Sequence, residues 1–254
     1  MVKSQKDSST GSELLLGHLE SLATIDDDAL QKRFLKDLIR NYVVLEKQLD
    51  SLLKNTLPAT VAEELKAEGR FLPRKYTCTI LFTDFVGFTG LAEIIPGSTL
   101  VETLNTIFTE FDDQIGYFSG TKIKTIGDAY MAVFGAPIEY NDHPVKAVRA
   151  ALAMIRCMQR FNQNAEHPFH IRVGIHTGEV MAGVVGKERM QFDVFGDNVN
   201  IAARFESSGK KNQINVSETT YMLTRDYFDF EKRGSIQLKN KADMKAYFAL
   251  GEKD

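Results

Sequence analysis

Two aspartates each stand at the end of an apolar, strand-like run. Asp84 closes a run that begins at Thr79, and Asp128 closes one that begins at Lys122. Half-burying a carboxylate costs free energy unless something compensates its charge, and two neighbouring carboxylates repel each other. A divalent cation removes that repulsion, because hard cations such as Mg²⁺ prefer oxygen ligands. Two metal ions held by two aspartates activate a hydroxyl and stabilise a leaving oxygen at phosphorus, so this pair predicts nucleotide chemistry.

The composition is that of a soluble globular protein, with 43% hydrophobic and 26% charged residues among 254. A net charge of −3 gives no support for nucleic-acid binding. No apolar stretch reaches the roughly 20 residues of a membrane span, and the polar N-terminus lacks a signal-peptide core. Cys78 and Cys157 lie in apolar runs without a second ligand at metal spacing, which predicts reduced core thiols in a cytoplasmic protein.

The first 74 residues have a helical pattern after a polar tail at 1–11, for which we expect disorder. A short amphipathic helix is predicted at 14–23, and the aspartates at 26–28 suit the start of a longer one. That longer helix has an a/d heptad seam: Leu35, Leu38, Tyr42, Leu45, Leu49 and Leu52. The seam is short, so packing against its own domain is the alternative to the parallel dimer that we predict. Pro58 opens a further helix at 59–68, and the whole of 12–74 is predicted to be a helical dimerisation segment.

Strands and helices alternate after residue 74. Strands are predicted at 78–83, 121–126, 129–134 and 169–175, and helices at 99–118 and 144–161. This β-α-β-β-α-β order predicts an α+β fold with a ferredoxin-like core. Both helices would cover one face of an antiparallel sheet and leave the other face for a site or a partner. A C-terminal strand-helix-strand extension follows, through 214–216 and 236–250.

Residues 76–250 resemble the class III nucleotidyl cyclases, the adenylyl and guanylyl cyclases. The resemblance rests on four motifs in order: FTDFVGFT (82–89), KIKTIGDAY (122–130), GIHTGEVMAG (174–183) and FDVFGDNVNIAAR (192–204). It implies that residues 75–254 form a catalytic domain, which converts a nucleoside triphosphate to its 3′,5′-cyclic monophosphate and pyrophosphate at the interface of two such domains. Residues 45–70 also resemble the element that joins an upstream sensor or regulatory domain to the catalytic domain in this family.

The resemblance assigns roles to individual residues. It implies that Asp84, Asp128 and Phe85 bind two divalent cations, Mg²⁺ or Mn²⁺. Asn200 would position the ribose, Arg204 would stabilise charge at the α-phosphate, and Lys239 would bind the triphosphate. A turn aspartate and a surface arginine are the alternatives for Asp128 and Arg204 taken singly. The backbone at the start of a helix can also cradle phosphate oxygens, which adds the segment Phe85, Val86, Gly87, Phe88 and Thr89.

Lys124 and Asp193 predict the purine. A lysine can donate to N1 of adenine and an aspartate can accept from N6, whereas guanine reverses both groups. A guanine would then face like groups with like, which a buried site rejects strongly. Guanylyl cyclases resemble this sequence around the two positions but carry Glu and Cys-type residues there. An ordinary exposed strand lysine is the alternative for Lys124.

We therefore predict a homodimeric adenylyl cyclase with ATP as substrate and two shared active sites. One subunit would supply Asp84 and Asp128, and the other Lys124, Asp193, Asn200, Arg204 and Lys239. A guanylyl or relaxed purine cyclase is the alternative enzyme. A catalytically silent, nucleotide-sensing dimerisation module is the alternative from another class. His176 follows a strand, and we interpret it as a packed or hydrogen-bonded histidine, because the histidines form no ligand cluster.

Overall fold

The computed structural model of the protein describes residues 17, 27–237 and 243–253. These residues belong to two compact units, the first ending at Thr56 and the second beginning at Leu57. The predicted tail at 1–11, and all but one residue of the predicted helix at 14–23, lie outside the described residues. No helix in the described part of the chain has both the length and the apolar character that crossing a membrane requires.

The first unit contains one long helix, α1 (Asp28–Thr56). The carboxylate of Asp27 accepts hydrogen bonds from the amides of Ala29 at 2.8 Å and Leu30 at 3.3 Å, which caps the helix start. This confirms the helix start predicted at 26–28. None of the residues of α1 is buried, and Leu45 and Leu52 of the predicted seam are 65% and 64% exposed. The apolar stripe of this helix is therefore exposed among the residues that the structure describes.

The second unit begins with helix α2 (Ala59–Glu68), as predicted, with Pro58 before it and Gly69 after it. The structure places α2 in this unit, whereas the sequence analysis grouped it with the helix before it. The other elements follow in the order β1 (Arg74–Phe85), α3 (Phe88–Ile94), α4 (Gly97–Tyr117), β2 (Thr121–Ile126), β3 (Ala129–Phe134), α5 (His143–Asn162), β4 (Ile171–Val185), β5 (Gln191–Phe195), α6 (Asp197–Ser207), β6 (Ile214–Ser217), α7 (Glu218–Thr224), β7 (Phe228–Ile236) and β8 (Met244–Glu252).

Among the described residues the strands form one mixed sheet of eight, in the order β2-β3-β1-β4-β6-β8-β7, with β5 paired to β4. The first four strands of that order pair antiparallel with one another. With α4 and α5 as the connections, they make the predicted ferredoxin-like core. Strand β6 then adds parallel to β4, and β8 and β7 add antiparallel pairs beyond it.

Helices α4 and α5 cover one face of the sheet, and α6 lies on the other. Val173 and Ile175 of β4 belong to the main core with Ile107, Phe111 and Ile115 of α4 and Val148, Ala151 and Met154 of α5. Gly174 lies between them and therefore faces the opposite side, where it meets the backbone of α6 at Glu206. The face that the sequence left open thus carries the helix that contains Asn200 and Arg204.

Two parts of the chain differ from the sequence prediction. Strand β4 continues to Val185 and pairs with β5, which the sequence analysis did not predict. The predicted strand at 236–250 is in fact the end of β7 and most of β8, and these strands pair antiparallel. The buried, free thiols of Cys78 and Cys157 agree with the prediction of reduced core cysteines.

Candidate active site

Asp84 and Asp128 meet at one edge of the sheet. Asp84 is the penultimate residue of β1, and Asp128 lies in the turn between β2 and β3. The pKa of Asp128 is raised, first by burial and then by the charge of Asp84 and a hydrogen bond to it. A divalent cation would relieve that repulsion, so the donor set fits a hard metal ion. No group of three or more His, Cys, Asp or Glu side chains in the described ranges is arranged to hold a metal.

Arg172 was missed by the sequence analysis. It lies directly opposite Asp84 in the β1–β4 register and donates a hydrogen bond of 2.7 Å to its carboxylate. Its Nε donates to Glu206 of α6 at 3.0 Å, so one guanidinium joins the two carboxylates. The sequence did carry a signal for Arg172, because a charged residue stands there in an otherwise apolar strand. Asp84 and Asp128 were identified from the same kind of position, at the ends of apolar runs.

Glu206 brings a third carboxylate close to the aspartate pair. Its side chain is 11% exposed. Burial raises the pKa of Glu206 to about 7, the charges of Asp84 and Asp128 add to the rise, and Arg172 opposes it. The site therefore combines three acidic groups and one arginine.

A β-bulge separates the two lysines of β2. The register of β2 against β3 shifts between Lys122 and Lys124, which allows neighbouring lysines to face different partners. Lys122 is exposed and pairs with Asp112 of α4 at 2.7 Å. Lys124 pairs with Asp193 of β5 at 2.5 Å, where the carboxylate is 8% exposed. The structure thus brings together the two residues that the sequence assigned to the purine.

Asn200 and Arg204 lie on the outer face of α6. Both are exposed, whereas Ile201, Ala202 and Phe205 on the inner face are buried. Within the described residues, no hydrogen bond or ion pair joins Asn200 or Arg204 to Asp84 or Asp128. A single copy of the chain therefore does not assemble all of the predicted site residues around one point.

The segment after β1 turns sharply into α3. Gly87 has a φ of 74° and precedes the helix. The ring of Phe85 is buried against Phe88, Phe108 and Phe169, so only its backbone is available to a ligand. The amide of Val86 donates to the carbonyl of His170 at 2.7 Å, which removes it from the predicted phosphate cradle. The amides of Phe88 and Thr89, in the first turn of α3, have no acceptor within the helix. Lys239 lies outside the described residues.

The comparison with protein families gives one match that covers most of the chain. A model described as the adenylate and guanylate cyclase catalytic domain matches residues 72–251. An adenylate cyclase of Mycobacterium tuberculosis is 38% identical over 224 residues, which are 86% of this chain and 51% of that protein. The rat guanylate cyclase soluble subunit beta-2 is 36% identical over 223 residues, 87% of this chain and 33% of that protein.

A solved structure agrees with these matches. The guanylate cyclase domain of RhGC from Catenaria anguillulae, in complex with GTP, is 32% identical with a TM-score of 0.68, and the match covers 71% of this chain and all of that one. The chain spans about half the length of the mycobacterial relative and a third of the rat one. Both adenylate and guanylate cyclases are thus among its relatives.

Proposed function

The chain belongs to the adenylate and guanylate cyclase catalytic domain family, and we propose that it converts ATP to 3′,5′-cyclic AMP and pyrophosphate. The observation that carries the choice of ATP is the ion pair between Lys124 and Asp193. A lysine donor and a carboxylate acceptor, held side by side, match N1 and N6 of adenine. Guanine presents a donor at N1 and an acceptor at O6, so it would set a donor against Lys124 and an acceptor against Asp193.

Asp84 and Asp128 are the residues that would hold two divalent cations. When bound, those ions neutralise the triphosphate and lower the pKa of the 3′-hydroxyl that attacks the α-phosphate. Mg²⁺ is commonly held by one or two carboxylates together with substrate phosphates, which agrees with a site of only two aspartates. Arg172 supplies a fixed positive charge beside Asp84.

The active form is a homodimer with two shared sites. Asn200 and Arg204 are exposed and, in the part of the chain that the structure describes, form no hydrogen bond or ion pair with the aspartates, so they suit a site completed by a neighbour. Arg204 would stabilise charge developing at the α-phosphate, because its planar fork matches phosphate oxygens. Met181 and Phe195 pair across the β4–β5 hairpin and are 39% and 44% exposed, which provides apolar surface for a partner. The α1 seam adds a second contact between the copies.

Direct product analysis tests the activity. Purified protein is incubated with ATP or GTP and Mn²⁺, and the cyclic product is identified by mass. We expect cyclic AMP from ATP and much less cyclic GMP from GTP. Cyclic GMP as the main product would favour the guanylyl alternative, and no cyclic product under any metal condition would favour a silent nucleotide-sensing module.

A charge swap tests the residues that read the purine. Lys124→Glu combined with Asp193→Cys should lower the use of ATP and raise the relative use of GTP, by at least about tenfold in the ratio of kcat/KM values. Lys122→Gln is the matched control, since it removes a charge from the same strand but faces α4. An unchanged ATP:GTP ratio in the double variant would show that this pair does not select the base.

A further inference from the structure

A chain of hydrogen-bonded side chains connects the sheet to the start of α6. Each neighbouring pair is separated by 2.8 to 3.2 Å. Its members, in order, are Thr79, Thr177, Thr220, Ser217, His176 and Asn198. All except Asn198 are buried. His143 of α5 bonds to Thr79 at 2.8 Å and extends the chain to the opposite side of the unit.

The last link of the chain has a defined direction. Asn198 donates from Nδ2 to the backbone carbonyl of Glu179 at 2.7 Å, and a carbonyl can only accept. The carbonyl oxygen of the Asn198 side chain therefore faces Nε2 of His176 at 2.9 Å, and that nitrogen must carry the proton. In a neutral imidazole Nδ1 is then an acceptor, which is satisfied by the hydroxyl of Ser217 at 2.8 Å. Nε2 of His176 is thereby fixed as the donor to Asn198, and the packed or hydrogen-bonded histidine predicted at this position is confirmed.

These contacts hold the start of α6 where an ordinary cap is absent. Gly196 precedes the helix and offers no side chain to cap it. Asn198 instead bonds to β4 through both His176 and the carbonyl of Glu179, and the ring of His176 stacks on Phe205 of the same helix. A Cβ at Gly178 would lie 2.5 Å from Cγ of Asn198, so β4 leaves room for this side chain only because it has glycine there.

The position of α6 matters because the helix carries Asn200 and Arg204. These residues follow Asn198 by two and six positions, so a displacement at Asn198 is passed on to both through a rigid helix. We propose that Asn198, oriented by His176, is a positioning residue that fixes the start of α6 and thereby places Asn200 and Arg204 against the substrate. This inference rests on the proposed cyclase function.

Asn198→Asp tests the proposal with almost no change in shape. The carboxylate can still accept from His176, but it sets a negative oxygen against the carbonyl of Glu179. We expect kcat to fall by at least about tenfold, because small displacements of catalytic groups are costly. Asn164→Asp is the matched control: it makes the same chemical change at an exposed site after α5 and should keep the wild-type kcat.

A second background separates positioning from a general loss of folded protein. In an Asn200→Ala chain one of the two positioned groups is already missing, so Asn198→Asp should lower kcat by a clearly smaller factor there, and the part that remains acts through Arg204. A smaller folded fraction would instead lower the rate by the same factor in both backgrounds. Equal factors, or a wild-type kcat in Asn198→Asp, would overturn the inference.

Asn198→Ser is measured in the same two backgrounds if the aspartate variant does not fold. Serine is neutral but too short to reach both His176 and Glu179. Failure of both variants to fold would also overturn the inference, because Asn198 would then be a structural residue. Wild-type protein that makes no cyclic nucleotide would instead refute the proposed function itself, so the two failures are distinguishable.

Discussion

Asp84 lies between a positive and a negative neighbour. Arg172 donates to it from β4, and Asp128 approaches it from the β2–β3 turn. The arginine offsets part of the repulsion between the carboxylates in the metal-free protein, so the aspartate pair can be kept together before cations bind. Arg172 also bonds to Glu206, which keeps the guanidinium in place if Asp84 is changed.

Removal of either aspartate should therefore abolish turnover without loss of the fold. Asp84→Ala and Asp128→Ala each delete a proposed metal ligand, and neither side chain belongs to the hydrophobic core. We expect at least about a hundredfold loss of kcat with Mn²⁺, with an unchanged circular dichroism spectrum. Asp113→Ala, on the exposed side of α4, is the control. Near-wild-type activity in either variant would remove that residue from the metal site.

Glu206 should make the metal-free protein less stable as the pH rises. Its pKa is raised from 4.5 to about 7 in the folded state, so between these values the folded protein holds a proton that the unfolded chain has released. The unfolding free energy should thus fall from about pH 4.5 to about pH 7, by on the order of 3 kcal/mol at most. Glu206→Gln should flatten this part of the profile, measured by urea unfolding in a chelator, and exposed Glu102→Gln should not. A wild-type slope in Glu206→Gln would contradict the assignment.

At single residues, the sequence predicted chemistry better than it predicted neighbours. Lys124 and Asp193 are far apart in the chain, but the hydrogen-bonding groups of adenine predicted that they lie together, and they form an ion pair. The bulge that turns Lys122 towards Asp112 could not be predicted, because it depends on the register with β3. The same holds for Arg172, whose partners come from β1 and α6.

At the scale of elements, periodicity was sufficient where an element has one buried face. Helices α4 and α5 were predicted to within a few residues because their apolar positions repeat at helical spacing. The second half of β4 was missed, since Gly178 and Gly183 interrupt its pattern of apolar residues. The side chain of Asn198 in α6 leaves no room for a Cβ at Gly178. A contact with α6 therefore explains why a glycine interrupts the apolar pattern of β4 there.

Helix α1 should contribute to dimerisation through its heptad seam. Leu45 is 65% exposed in the single chain, and burying such residues against a second copy would stabilise the dimer. Leu45→Glu, or removal of the chain before Leu57, should weaken the dimer, and specific activity should then rise with protein concentration. Sedimentation and dilution assays measure both effects, with Lys47→Glu on the outer face of the helix as the control. A variant dimer as tight as the wild type would show that the seam is not a contact between copies.

At the scale of the whole molecule, the proposed shared site divides the predicted residues of one chain into two separate groups. The β2–β3 hairpin contributes to both, because Lys124 faces Asp193 while Asp128, four residues later, faces Asp84. Asn200 and Arg204 are exposed on α6, and within the described residues neither forms a hydrogen bond or an ion pair with Asp84 or Asp128. In a dimer with a twofold axis, the aspartates of each copy would face Asn200 and Arg204 of the other copy. Two equivalent sites would therefore form.

Mixing two inactive variants tests this arrangement. An Asp84→Ala chain still offers Asn200 and Arg204 to its neighbour, and an Arg204→Ala chain still offers Asp84 and Asp128. Their heterodimer has one site with both lesions and one site with neither. Random exchange makes about half of the dimers heterodimers, so activity should recover to roughly a quarter of wild type. A mixture of Asp84→Ala with Asp128→Ala should stay inactive, because each site of that heterodimer lacks one of the two aspartates. If the first mixture stays inactive although exchange is demonstrated by mass, the site lies within one subunit and the shared-site model is wrong.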